Sequence, residues 1–221
     1  MLVFQRNLTS ILLEKALRDH LRKCPNGTQI LEIGCGDGNI TRAIASEFMG
    51  NKYFASDISK AAVEAAKNLC SHEVGQIIEF RISDGLDAWV DKKVDVVLCD
   101  ISAINQRIAE LSDWYIGVDC NTGDDGLGAI RPIIQNVKNH LGSGGVFILP
   151  TISLSNTDEL ERVLTQNFRS VTMVENKDWP MPKNLSKEIQ NNNIPDKGIN
   201  WNTKNKFGIE IASTGVLLCR V

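Results

Sequence analysis

Residues 30–41 read ILEIGCGDGNIT. Ile30, Leu31 and Ile33 make a short apolar run interrupted only by Glu32, as in a strand buried on both faces. Gly34, Gly36 and Gly38 follow at once. Glycines at that spacing allow a tight turn and let a ligand approach backbone N–H groups without Cβ obstruction. From Asn39, NITRAIASEFM has helical spacing. Strand, glycine turn and helix form a βα unit built for binding. A dinucleotide fingerprint would place a glycine at position 39, and this chain has Asn39.

The pattern continues on both sides of that unit. Residues 8–23 have helical spacing, with Thr9 or Ser10 as candidate caps. KYFAS ends at Asp57, IIEFRI runs into Asp84-Gly85, and VDVVLC stops at Asp100. GGVFILP, SVTMV and GVLLCRV complete seven expected strands. Helices are expected between them, one opened by Ser59, one with Pro132 in its first turn, and one whose Asn156 and Glu159 have capping-box spacing. Strand alternating with helix implies an α/β sheet with helices on both faces. Ligands of such sheets bind beyond the carboxyl ends of the strands. Those ends carry the 34–38 turn, Asp57, Asp84 and Asp100. Any one aspartate alone reads as a helix cap or turn former; the four features together read as a ligand rim. Asp57 lies about twenty residues past the first turn, where a carboxylate accepts both hydroxyls of a ribose and repels a 2′-phosphate.

The 221 residues suit one domain, 1–221, with an N-terminal helix inside 1–27 and an insertion at 175–206. A net charge of −3 argues against a chain built wholly around nucleic acid. The apolar runs are too short to cross a bilayer, and MLVFQRNLTS lacks the form of a signal peptide. The six cysteines form no CxxC pair, so reduced thiols and a cytoplasmic location are expected.

With the rim assembled, ILEIGCGDGNIT resembles the first motif of the class I S-adenosylmethionine (SAM)-dependent methyltransferases, and the resemblance runs in order from about Gln29 to Leu149. It implies a Rossmann-like seven-stranded sheet, mostly parallel, with an antiparallel final strand supplied by GVLLCRV. It implies SAM as cofactor, held by Glu32, Gly34, Cys35, Gly36, Gly38, Asp57, Ile58, Asp84, Gly85 and Asp100. Within that set Asp57 matches the ribose-binding acid and Asp84 the residue that meets the adenine amino group. Glu32 matches the acid that orients the loop and the methionine end, and Asp100 opens the fourth motif beside the reacting methyl.

Residues 123–149, GDDGLGAIRPIIQNVKNHLGSGGVFIL, are similar to a stretch of the glutamine methyltransferases acting on peptide-chain release factors. Those enzymes carry Asn-Pro-Pro-Tyr where this chain has Asp100-Ile101-Ser102-Ala103. Asp100 is the expected catalytic residue: it can bind the α-ammonium of SAM, stabilise the sulfonium, or accept a proton. Ser102, Trp114 and Tyr115 are candidate acceptor contacts, with Asp113 and Asp119 nearby. His20, His72 and His140 read as surface or satisfied side chains away from the rim. No acid follows the fifth strand before Asp158, so no metal is expected. Prolines at 180, 182 and 195 argue against a long continuous element in 175–206, whose lysines and two tryptophans suit a lid or a contact to RNA or an acidic protein. The expected activity is methyl transfer, with a small-molecule acceptor favoured by the short N-terminal region. The alternatives are a ribosome-associated protein or RNA acceptor, aminocarboxypropyl transfer or cyclisation, and a non-catalytic SAM-binding module. No membrane partner is expected, and the sequence leaves the oligomeric state open.

Overall fold

The computed structural model describes residues 7–72, 74–116, 120–192, 194 and 203–221. In chain order they form α1 (Leu8–Leu21), β1 (Gln29–Ile33), α2 (Asn39–Glu47), β2 (Lys52–Asp57), α3 (Lys60–Cys70), β3 (Ile78–Ile82), β4 (Val94–Cys99) and α4 (Gln106–Leu111). α5 (Arg131–Asn136), β5 (Leu141–Ile152), α6 (Thr157–Asn167), β6 (Ser170–Pro180), α7 (Lys183–Asn191), β7 (Lys204–Lys206) and β8 (Ile209–Arg220) follow.

β1 lies near the middle of the sheet, paired in parallel with β2 on one side and β4 on the other. The strand order is β3-β2-β1-β4-β5-β8-β6, with β7 paired to β8. The sequence therefore runs outward from β1 in both directions, leaving a crevice between β1 and β4 at their carboxyl ends, the usual ligand position in such sheets. β8 is antiparallel to β5 and β6, as expected of the final strand.

The period-2 pattern of the strands feeds a core on each sheet face. Ile30, Val96, Leu98, Ile148 and Leu218 meet α1, α2 and α3 through Leu13, Leu17, Ile44 and Ala66. Leu31, Ile33, Val97, Phe147 and Leu149 meet α5 and α6 through Ile133, Ile134, Leu160 and Leu164. A fully buried side chain such as Leu13 or Ile134 contributes roughly 1.5–3 kcal/mol, so these two layers fix the strand ends that carry the site.

The insertion is more regular than its prolines suggest. β6 runs on to Pro180, and Pro182 precedes α7 at its N-cap. β6 is an edge strand beside β8, so a proline at its end removes no hydrogen bond that a second neighbour would need. Leu185 and Ile189 of α7 bury against Ile104 and Ile108, the segment after β4. β7 is an additional three-residue strand, joined to β8 through Phe207 and Gly208, both at positive φ. Asp119 and Pro195, weighed above, lie outside the described residues, as do Lys197 and Trp201 of the insertion's lysines and tryptophans.

α1 opens differently from the sequence expectation. Asn7 is its cap, accepting a bond from the Ser10 N–H at 3.1 Å, so neither Thr9 nor Ser10 serves. The Ser10 hydroxyl is left for another partner.

Candidate active site

The glycine turn is held from beneath by β2. The N–H groups of Gly34 and Cys35 both donate to the Ser56 carbonyl, at 2.8 and 2.9 Å. Gly34 has φ +80°, and a Cβ there would stand 2.8 Å from the Asp100 carbonyl oxygen. The glycine is what lets the ends of β1 and β4 close on each other. Gly38, at φ +82°, starts α2 where a Cβ would meet Ala66 Cβ at 2.8 Å. Asp37 replaces the missing cap, its Oδ1 accepting the Asn39 N–H at 3.2 Å.

Asp57 stands at the end of β2 and joins two loops. Its Oδ2 accepts the Gly36 N–H at 3.0 Å and its Oδ1 the Ser59 N–H at 2.9 Å. Ser59 then caps α3, accepting from the Ala62 N–H. The end of β3 is tied in turn to β2, the Ser83 N–H donating to the Asp57 carbonyl at 2.9 Å. Below it, buried Trp89 donates from Nε1 to Ser56 Oγ at 3.0 Å.

These strand ends open on one cavity of about 1170 Å³. Its lining includes Glu32, Gly34, Cys35, Gly36, Asp57, Ile58, Asp84, Gly85, Asp100, Ser102 and Tyr115, all sites expected from the sequence. Ile58 is 67% exposed there, an apolar side chain offered to the cleft. Gly38 is not itself among the lining residues, although its neighbours Asp37 and Asn39 are. Trp114 is not among the lining residues; its ring packs edge-on against Trp179 at 5.6 Å.

Glu32 and Asp100 carry the unusual electrostatics. Glu32 is pushed up to about 8, first by burial, and then by the charges of Asp100, Asp57 and Asp37, while a bond from the Thr41 hydroxyl pulls it down. Burial likewise lifts Asp100 to about 6, against a bond from Ser10 that lowers it, with Asp57 pushing it up again. Ser10 Oγ donates to Asp100 Oδ2 at 2.7 Å across 90 residues of sequence. This partner was invisible in the sequence, where Ser10 read as a local cap.

Beyond Asp100 the lining continues with Ser102, Tyr115, Cys120, Asn121 and Thr122. Burial raises the Tyr115 hydroxyl to about 12 while a bond with Ser102 opposes it. Thr122 Oγ1 donates to the Ile104 carbonyl at 2.6 Å. His140 departs from expectation: it is buried, lines the cavity's far side, and its Nδ1 has no hydrogen-bond partner among the described residues. All six cysteines are free thiols.

A Rossmann-like α/β sheet with a glycine turn and three strand-end aspartates around one cleft defines the class of ligand-binding domain. The sequence profile of the methyltransferase domain family matches residues 25–206, and the chain belongs to that family. A release factor glutamine methyltransferase from Cereibacter sphaeroides is 32% identical over 126 residues, covering 54% of this chain and 45% of that protein. A malonyl-[acyl-carrier protein] O-methyltransferase from Brevibacillus brevis is 36% identical over 86 residues, covering 36% of this chain and 30% of that one. The chain thus spans less than half the length of these curated relatives. Among solved structures, a SAM-dependent methyltransferase from Geobacter sulfurreducens in complex with S-adenosyl-L-homocysteine shares the fold. It superposes with a TM-score of 0.53 at 16% identity, over 94% of this chain and 90% of that one. No helix of the described residues is long and apolar enough to cross a membrane.

Proposed function

We propose that this chain binds SAM in the cleft above β1, β2, β3 and β4 and transfers its methyl group to a nucleophile held beside Asp100. The observation that carries the reading is the convergence of the glycine turn, Asp57, Asp84 and Asp100 on a single cavity. The donor set suits this ligand. Glu32, Asp57 and Asp100 raise the local cost of negative charge, and a cationic group among them relieves it. Asp57 keeps lone pairs free on both oxygens for a ribose diol, since each so far accepts one backbone N–H.

Bound there, SAM supplies an electrophilic methyl on a sulfonium sulfur. The protein's part is to align and to exclude. Gly34 and Gly36 bring the backbone close to the ligand, Asp84 and Ile58 flank the end remote from Asp100, and Asp100 faces the reacting end. Methyl transfer needs chiefly in-line placement of its two partners, so alignment supplies much of the rate. Asp100, pushed up to about 6, is also suited to accept a proton near neutral pH.

The acceptor end favours a neutral nucleophile, or an ammonium group that first gives up its proton to Asp100. Ser10, Ser102, Tyr115, Cys120, Asn121 and Thr122 offer hydroxyl, thiol and amide groups around one carboxylate. An anionic acceptor would meet Asp100 there with no cation among these residues. This supports an amine, amide or hydroxyl over a carboxylate such as the name of the Brevibacillus relative suggests. A small acceptor entering the open cleft is our first choice. A protein side-chain amide is the second, favoured by the release-factor relative.

The test incubates the protein with SAM and panels of small amines, alcohols and purified release factors, and identifies the nucleoside product. S-adenosylhomocysteine is expected. Methylthioadenosine would mark aminocarboxypropyl chemistry instead, and tight NAD binding without SAM binding would overturn the whole reading.

A further inference from the structure

We infer that Ser10, in the first turn of α1, is a positioning residue that holds Asp100 as an oriented carboxylate toward the cationic end of the cofactor, making the N-terminal helix a working wall of the site. The inference rests on the SAM reading above and adds a residue to it.

The geometry begins with the cap. Because Asn7 takes the Ser10 N–H, Ser10 sits three positions into the helix with its hydroxyl free to point away from the helix end. It points to Asp100 Oδ2 at 2.7 Å, and Ser10 itself is 4% exposed. Asn7, Thr9 and Ser10 line the same cavity, so one side of the first turn faces it, while Leu8 packs on the core. The helix cannot drift from this position easily. Leu13 and Leu17 are buried in the core shared with Ile148, Val216 and Leu218. Arg18 binds Glu14 and Glu47, each at 2.6 Å, and locks α1 to the end of α2.

A hydroxyl has one proton to donate, and here it goes to a carboxylate in a poorly solvated place. That bond stabilises the charged form and so opposes the effect of burial. The charged and titratable groups facing Asp100 are Glu32 from β1, Asp57 from β2, Tyr115 from the loop after α4, and its neighbour Cys99. Asp57 disfavours its charge, and Glu32 is still protonated where Asp100 titrates, so Ser10 is the described group that sustains that charge. A local helix-forming role would require nothing of the hydroxyl, since alanine is the better helix former.

The experiment is calorimetric titration of SAM into the wild type, Ser10→Ala, Ser10→Thr and Asp100→Asn between pH 5 and 9, with thermal melts to confirm folding. Wild-type affinity should fall as pH drops through about 6. In Ser10→Ala that midpoint should move upward by about one pH unit, the equivalent of one charged hydrogen bond, and Ser10→Thr should restore it. Asp100→Asn should abolish the step. A second step near pH 8, where Glu32 and the α-amino group of SAM both titrate, should stay where it is in Ser10→Ala and serve as the internal reference. An unmoved lower midpoint in Ser10→Ala, or a lower step that survives in Asp100→Asn, overturns the inference while leaving SAM binding intact. No SAM binding to the wild type at any pH overturns the cofactor reading and this inference with it.

Discussion

Replacing Asp57 with alanine removes two bonds at once, from the Gly36 N–H at 3.0 Å and the Ser59 N–H at 2.9 Å. The first closes the glycine turn onto β2, and the second sets the start of α3. A hydrogen bond to a charged group contributes roughly 1.5–3 kcal/mol when its loss leaves the partner unsatisfied. Here the cleft is open and water can reach both freed N–H groups, so the loss should be about 1–2 kcal/mol for the pair. Affinity for SAM should fall further, because the ribose contact and the turn geometry go together: about 1.5–3 kcal/mol, or ten- to hundredfold. Asp57→Asn separates the two effects. It keeps one acceptor oxygen and the side-chain size, yet sets an NH2 group against one backbone N–H, so it should be no more stable than alanine. Urea denaturation read by tryptophan fluorescence, paired with SAM calorimetry, measures both. An alanine variant with wild-type midpoint and wild-type affinity would refute the placement of Asp57 as the tie between turn, helix and ligand.

Other substitutions probe the same frame. Gly38→Ala should lower stability by about 2–4 kcal/mol, combining a left-handed backbone penalty with a contact on Ala66. Gly27→Ala, at φ +89° with nothing within 4 Å of its Cβ, should lose only the backbone part, and equal losses in denaturant midpoints would discount the packing argument. Glu32 holds its proton up to about pH 8 in the folded chain and releases it near 4.5 when unfolded. The unfolded state therefore binds fewer protons between those values, and stability should decline as pH rises from about 5 to 8. Glu32→Gln should flatten that slope in thermal melts; an unchanged slope would assign it elsewhere. Phe207, fully exposed at φ +54°, should gain about 0.5–1 kcal/mol on replacement by asparagine, which tolerates that conformation and loses no packing.

The central sheet was legible in the sequence because β1 to β4 each announced themselves by a short apolar run, and their carboxyl ends by a glycine turn or an aspartate. Ile30 to Ile33 and Val94 to Cys99 are buried in the pattern their residues dictate. The rim followed from the general rule for open α/β sheets, and eleven of the expected residues line one cavity. What stayed hidden was tertiary. Ser10 meets Asp100 only because α1 crosses the sheet face, and nothing local distinguishes that serine from a cap. β6 extends past its expected end because an edge position tolerates Pro180, and the need for a hydrogen bond at a given residue is a property of the sheet. Trp114 was placed near the acceptor by its neighbours in sequence, whereas its ring turned to Trp179 on β6. His140 is buried at the end of the 3-10 turn that follows α5 and leads directly into β5.

The packing of α1 also sets an order of events during synthesis. Its apolar face is completed by Val216 and Leu218 of β8, which emerge from the ribosome some two hundred residues later. Until then Leu13 and Leu17 lack part of their cover, and the contact is among the longest in sequence separation that the chain makes. Contacts of that kind carry the largest loop-closure penalty and form late. Since Ser10 reaches Asp100 only when α1 is seated, the cleft acquires its final charge state with the last strand. A nascent chain that already displays the glycine turn and Asp57 would hold an unfinished site, so maturation of binding should track docking of the first helix and not assembly of the central strands.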